Sequence, residues 1–137
     1  MYNYRYNGYH ILVMMLGGII LNTRTLGKVG EELAKLFLEK EGYRILEENF
    51  WCRYGEIDLI AKEADYVVFI EVKLSNNKSY LTPQEKVDYR KQRQLEKVAR
   101  YYFSLQQVDS DFRFDVVAIS GDKKNREIEL FKNAFYC

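Results

Sequence analysis

The sequence predicts an α/β sandwich in which helices pack on a mixed, hairpin-rich β-sheet. Two segments of helical period alternate with short strand-like runs in the order α-β-β-β-α-β-β. The chain has 137 residues, 47% of them hydrophobic, enough for one buried core without disulfides. Its net charge of only +1 excludes both a disordered chain and a generally basic nucleic-acid binder. Any phosphate contact must therefore come from local clustering of cations. His10 is the only histidine, so sites built on several histidines are excluded. Cys52 and Cys137 form neither a disulfide framework nor a metal motif, which suits a reducing, cytoplasmic setting.

The elements follow in order. Residues 1–25 read as an N-terminal extension, the other reading being an added strand or packing segment. The apolar run Ile11 to Leu21 is too short to span a bilayer, and no small-residue cleavage pattern follows it. No membrane association is expected. The domain proper is expected over residues 26–137. Leu26, Val29, Leu33, Leu36 and Phe37 mark a helix from about Leu26 to Glu41, stopped by Gly42. Tyr43 to Tyr54 reads as extended, with Trp51 expected in the core, and Gly55 breaks it. Ile57–Ala61 and Val67–Val72 are short β-rich runs. Thr82-Pro83-Gln84-Glu85 has the form of a capping box with proline at the first helical position, predicting a helix to about Leu105. Phe112–Ile119 and Glu127–Phe131 supply the last strands, with a turn at Gly121 to Arg126. Asp115 is expected to be structural, pairing with Arg113 or holding a backbone group.

The central hairpin carries the chemistry. Side chains alternate faces along a strand, so Ile57, Leu59 and Ala61 share one face and Glu56, Asp58 and Ile60 the other. On the next strand Val68, Ile70 and Val72 oppose Phe69, Glu71 and Lys73. Joining the two apolar sets, with a short turn around Ala64-Asp65, places Asp58 beside Glu71 and Glu56 beside Lys73. Adjacent carboxylates repel unless a cation lies between them, and Mg²⁺ takes such oxygen ligands. Lys73 projects from the same face, placed to orient a metal-bound water or stabilise a phosphate. Both Glu71 and Lys73 are expected on the polar face of the hairpin, away from its apolar layer, where substitutions are surface-like. The plainer alternative is an exposed sheet face of mixed charge with a Lys–Glu pair.

Asp58 followed by Glu71-Val72-Lys73 resembles the D…(D/E)-x-K signature of the restriction-endonuclease-like nuclease superfamily. Gly30-Glu31-Glu32, Asn49, GEIDLIA, VFIEVK, Arg90-Lys91-Gln92, RFDVVAI and Asn133-Ala134-Phe135 together resemble the YraN-like family of bacterial proteins. That family is similar to archaeal Holliday-junction resolvases. The resemblance implies a restriction-endonuclease-like three-layer core with a mixed sheet flanked by helices. It also implies a metal-dependent endonuclease acting on DNA, including branched or structured DNA. Asp58, Glu71 and the Val72 carbonyl would hold Mg²⁺ or Mn²⁺. Lys73 would position the nucleophile, and Glu31 would complete the outer shell or a second metal. Where the family continues with arginine after EVK, this chain reads Leu74-Ser75-Asn76-Asn77, which removes a phosphate contact there.

On the second helix, Lys91 and Gln92 match the family pattern and are expected to point into the cleft. Arg90, Arg93, Lys97 and Arg100 lie on the opposite face as a phosphate track, without the interleaved aromatics that stack single strands. The rival reading is a non-catalytic nucleic-acid-binding or protein-interaction module, the latter through the Tyr-rich N-terminus. Resolvases act as symmetric homodimers, and no residue here marks such a surface.

Overall fold

Period-two alternation of β-branched and aromatic residues sets the strands into one mixed sheet, and among the described residues one amphipathic helix packs on each face. The computed structural model describes residues 3–7, 23–75, 87–107, 109–121 and 126–135. The elements are β1 (Asn3–Asn7), α1 (Thr23–Lys40), β2 (Arg44–Cys52), β3 (Gly55–Glu63), β4 (Tyr66–Ser75), α2 (Tyr89–Gln106), β5 (Phe112–Gly121) and β6 (Arg126–Phe135). Across the sheet they run β1-β6-β5-β4-β3-β2. β4 and β5 are parallel, as a connection through a helix requires, and the other neighbours are antiparallel.

α1 packs Leu33, Ala34, Phe37 and Leu38 on a face built from Leu59, Ala61, Val68, Ile70, Val117 and Leu130. α2 packs Leu95, Val98, Ala99 and Tyr102 on the other face, over Ile60, Phe69, Phe114 and Val116. Phe69 is the hub there, its ring in edge contact with Tyr102 and Phe103. Of the stripe expected for α1, Leu33 and Phe37 are buried in this core and Val29 packs against it.

Several expectations need correction. The chain contributes a strand before its first helix: β1 pairs along β6, so the order begins with β rather than α. α2 begins at Tyr89, not near Thr82, because Asp88 supplies the N-cap and accepts the Lys91 N–H at 2.8 Å. The capping-box residues lie outside the described residues, as do His10, Cys137 and the apolar run at 11–21. Trp51 is 74% exposed instead of buried. Its neighbours Phe50 and Cys52 pack toward α2, so alternation turns Trp51 to the opposite face. Ile57 also joins the α2-side core rather than the face of Leu59 and Ala61. That crossover marks a break in the regular pleat of β3 at residue 58.

Asp115 takes the structural role expected of it. It is fully buried, and it accepts from Tyr43 Oη at 2.8 Å, Arg113 Nε at 3.0 Å and the Asn133 N–H at 2.9 Å. The register of β5 against β6 shifts between Phe114 and Val116, and Asn133 has a φ of 53°. The carboxylate therefore serves a strand N–H where the ladder is interrupted. Arg113 also reaches Glu63 at 2.7 Å, which pairs with Lys132 at 3.2 Å. Burial and the Asp115 charge push the Tyr43 hydroxyl upward, so it remains a proton donor. Removing one partner of a buried charged network leaves the others uncompensated. Asp115→Ala should accordingly lower stability by about 3–5 kcal/mol in equilibrium urea unfolding. A loss below about 1 kcal/mol would mean that the network is not coupled to the fold.

Candidate active site

The β3–β4 ladder has the register the alternation demands, from Glu63–Tyr66 through Leu59–Ile70. Ala64 and Asp65 form the turn, with Ala64 at a φ of 51°. Pairing stops one step before Asp58–Glu71. There the Val72 N–H donates to the Asp58 carboxylate at 2.8 Å instead of to a β3 carbonyl. On its other side β3 also skips a pair: the register passes from Glu48–Leu59 to Phe50–Ile57 without an Asn49–Asp58 partnership. Asn49 has a φ of 52°, outside strand geometry. Asp58 thus sits in a local opening of the sheet, and its side chain substitutes for a ladder carbonyl. In a strand one residue's N–H and C=O point to the same edge, so the Val72 carbonyl also faces this opening.

Glu71 is buried beneath α2, only 8% exposed. This corrects the expectation of a surface-like polar face, because α2 covers what the hairpin alone would leave open. The Asp58 and Glu71 carboxyls are close enough for each to act on the other's ionisation. Burial first, then the charge of Asp58, pushes Glu71 up to about 7. Burial also raises Asp58, against the opposing pull of the Val72 N–H and Lys91. The Lys73 and Lys91 ammonium groups stand 3.7 and 3.9 Å from Glu71 Oε1, beyond hydrogen-bond length. The two cations moderate the pair but do not lock it. Glu56 pairs across from Trp51 rather than with Lys73, because the β3–β4 ladder has ended.

Glu31 reaches this end of the sheet from α1. Burial and the charge of Asp58 raise its carboxyl, while a side-chain hydrogen bond from Asn49 works the other way. Asn49 therefore links the helix glutamate to the opening in β3. It matches the family pattern, but its irregular backbone is not visible in sequence. Among the described residues, no three His, Cys, Asp or Glu side chains converge as a ready ligand group. Glu31 is thus near Asp58 without gathering into one set with Asp58 and Glu71. The converging donors are those two carboxylates and the Val72 carbonyl.

On α2, Lys91 points to the carboxylates as expected, whereas Gln92 turns back and donates to the Val87 carbonyl at 2.8 Å. Arg90, Arg93, Lys97 and Arg100 are exposed. Arg93 and Arg100 both pair with the buried Glu96, at 2.7 and 2.9 Å. The cationic face and Lys91 are not separated, as the helix faces suggest: Arg90, Lys91, Arg93 and Lys97 line one groove of about 780 Å³. Its opposite wall is Arg53 and Tyr54, brought in by the turn between β2 and β3. Gly55 permits that approach, because a methyl group there would collide with the Gln94 side chain. Its φ of 139° also favours glycine.

A family model described as "Uncharacterised protein family UPF0102" matches residues 30–119. The chain belongs to the UPF0102 family. The YraN-like resemblance carried by its motifs is this membership. Its relatives include a UPF0102 protein of Syntrophus aciditrophicus, 47% identical, with 83% of this chain and 90% of the relative aligned. A second, from Caldicellulosiruptor saccharolyticus, is 45% identical over 84% of this chain and the whole relative. A third, from Thermodesulfovibrio yellowstonii, is 47% identical over 81% of this chain and 96% of the relative. The UPF0102 span takes in Glu31, Asn49, Asp58, Glu71, Lys73 and all of α2. Among the described residues no helix is long and apolar enough to cross a membrane.

The donor set of this UPF0102 site suits a hard divalent cation: it offers oxygen donors, with Glu71 buried and Asp58 half-buried, and among the described residues it is short of positive charge. The same shortage sets a pH dependence. Glu71 is raised in the fold from 4.5 to about 7, so its contribution to stability is full below about 4.5 and is lost as pH rises through 7. Glu71→Gln should therefore flatten the fall in metal-free stability across that window. At pH 8 it should be more stable than wild type by on the order of 2–3 kcal/mol. Urea midpoints measured from pH 4 to 8 without divalent ions check this; parallel curves for both proteins would refute it.

Proposed function

We propose that this chain is a divalent-metal-dependent phosphodiesterase acting on DNA. The observation that carries the reading is the Asp58–Glu71 pair in a gap of the sheet, Glu71 buried and Asp58 half-buried, flanked by Lys73 and Lys91 and beside a basic groove. Two carboxylates desolvated at this cost, with no arginine among the described residues between them, are better explained by a bound cation than by stability. The restriction-endonuclease-like fold, and kinship to archaeal Holliday-junction resolvases, belong to the same proposal. The parallel β4–β5 pair and a helix on either face are compatible with it, though fold alone does not establish function.

Mg²⁺ or Mn²⁺ would be held by Asp58, Glu71 and the Val72 carbonyl, and would supply an acidified water and charge neutralisation at the phosphate. The remaining roles fall to side chains already in place. Lys73 extends from the face of Glu71 and orients the attacking water by donating to it. Lys91, between the carboxylates and the groove, draws a phosphate oxygen toward the pair. The Glu31 carboxyl, raised by burial and by the charge of Asp58, is suited to exchange a proton near the site. Sequence selectivity should be low, because the sequence carries no base-recognition motif.

The test is a cleavage panel of linear, flap, single-stranded and four-way DNA with Mg²⁺ or Mn²⁺. Wild type should cut at least one of these, and Asp58→Asn and Glu71→Gln should abolish detectable cutting. Lys73→Ala should reduce the rate by about 10²-fold or more without loss of fold. A wild-type protein that cuts none of the panel would favour the non-catalytic binding module. Full activity in Glu71→Gln would remove the assigned site.

A further inference from the structure

The groove beside the carboxylates has aromatic residues that the helix pattern alone did not place there. Tyr54, Tyr89 and the cations Arg90, Arg93 and Lys97 line its first part. A second hollow of about 380 Å³ shares Arg53, Tyr54 and Lys97 with it and continues past Arg100 and Tyr101. The two form one trough along α2. At 3.6 residues per turn, Tyr89, Arg90, Arg93, Lys97 and Arg100 fall within an arc of roughly 100°. The aromatics are not equivalent. Tyr54 is already engaged, by the Arg53 guanidinium 4.8 Å from its ring centre and by the edge of Tyr101 at 6.0 Å. Tyr89 is 74% exposed, at the first position of the helix and two residues from Lys91. A large ring left open at the active-site end of a basic trough is a stacking surface of the kind single strands use.

We propose that this trough binds a single-stranded segment of the DNA substrate, with phosphates along Arg90, Arg93 and Lys97 and one base stacked on Tyr89. The proposal deepens the nuclease reading and rests on it only for the position of the scissile bond. Glu96 has a supporting role. Buried at the base of the arc, it pairs with Arg93 and Arg100 one turn to either side and so spaces two guanidinium groups along the strand. The trough is walled by the β2–β3 turn opposite α2, which suits a single strand better than a duplex. Stacking is tolerant of base identity, so the trough selects strandedness rather than sequence.

The experiment is equilibrium fluorescence anisotropy in EDTA, with labelled oligothymidylate, a duplex of equal length and an oligouridylate. Wild type should bind the single-stranded DNA more tightly than the duplex. Tyr89→Ala should weaken that binding by about fivefold to a hundredfold, and Tyr89→Phe should restore it, because the ring and not the hydroxyl is used. Duplex binding should be unchanged in both variants. Replacing Arg90 and Lys97 by alanine should reduce the salt slope for single strands by about 0.7 for each phosphate no longer neutralised. The proposal is overturned if the duplex binds as tightly, if Tyr89→Ala weakens both equally or neither, or if RNA binds more tightly than DNA. Tight, Tyr89-dependent binding without cleavage in Mg²⁺ would sustain this inference and defeat the nuclease reading. Cleavage with Tyr89-independent binding would do the reverse.

Discussion

The hydrogen bond from the Val72 N–H to the Asp58 carboxylate, 2.8 Å long, is the point on which the candidate site depends. A strand N–H that meets no carbonyl must find another acceptor or be left at a cost of roughly 1–3 kcal/mol. Here a side chain supplies it. The ladder can then end early without penalty, and the Val72 carbonyl faces an opening rather than a partner strand. The same bond pins Asp58 beside Glu71 on the α2 side. Asn49, with its left-handed backbone, opens the other side of β3, and Glu31 stands at the margin, where the charge of Asp58 raises its carboxyl. One local exchange of a carbonyl for a carboxylate thus produces the gap, the donor set and the charge cluster.

The molecule uses this device twice, and the contrast separates support from site. Asp115 also accepts a strand N–H at an irregularity, but Arg113 and the Tyr43 hydroxyl close around it at hydrogen-bond distance. That carboxylate is fully compensated and rigidifies the β5–β6 junction. Among the described residues, the ammonium groups that pair with Glu71 are those of Lys73 and Lys91, each beyond hydrogen-bond length. The carboxylate pair is a cost to the metal-free fold, and it is tolerated because α1, α2 and the Asp115 network hold the sheet from elsewhere. The excess of negative charge at the carboxylates faces an excess of positive charge in the trough, which suits a phosphate held between a cation and basic side chains.

Much of this geometry was legible in the residues. Alternation alone set the register of the β3–β4 hairpin, since any slip by one residue would bury Asp58 and Glu71 in the aliphatic layer. It also gave Lys73 its side of the strand and Asp115 its structural role. What could not be read depends on contacts between distant segments. Glu71 is buried because α2 lies over it, and no local pattern reports a covering element. The position of Asn49 opposite Asp58 follows from a shift between Ile45 and Glu47 in the pairing of β2, which the alternation does not announce. Tyr54 reaches the basic face of α2 only because Gly55 lets the turn approach Gln94. The exposed Trp51 and the start of α2 at Asp88 show the same limit: composition indicates what a residue prefers, while its neighbours decide what it receives.

The central claim is that Asp58 and Glu71 form a cation site, and direct titration of Mn²⁺ into the metal-free protein by calorimetry tests it. Wild type should bind an ion at this site, more tightly at pH 8 than at pH 6, because at the lower pH the ion must displace the proton that the raised Glu71 carboxyl holds. Asp58→Asn and Glu71→Gln should each lose that binding while retaining the fold by circular dichroism. Absence of Mn²⁺ binding by folded wild-type protein, or binding undiminished in Asp58→Asn, would contradict the account.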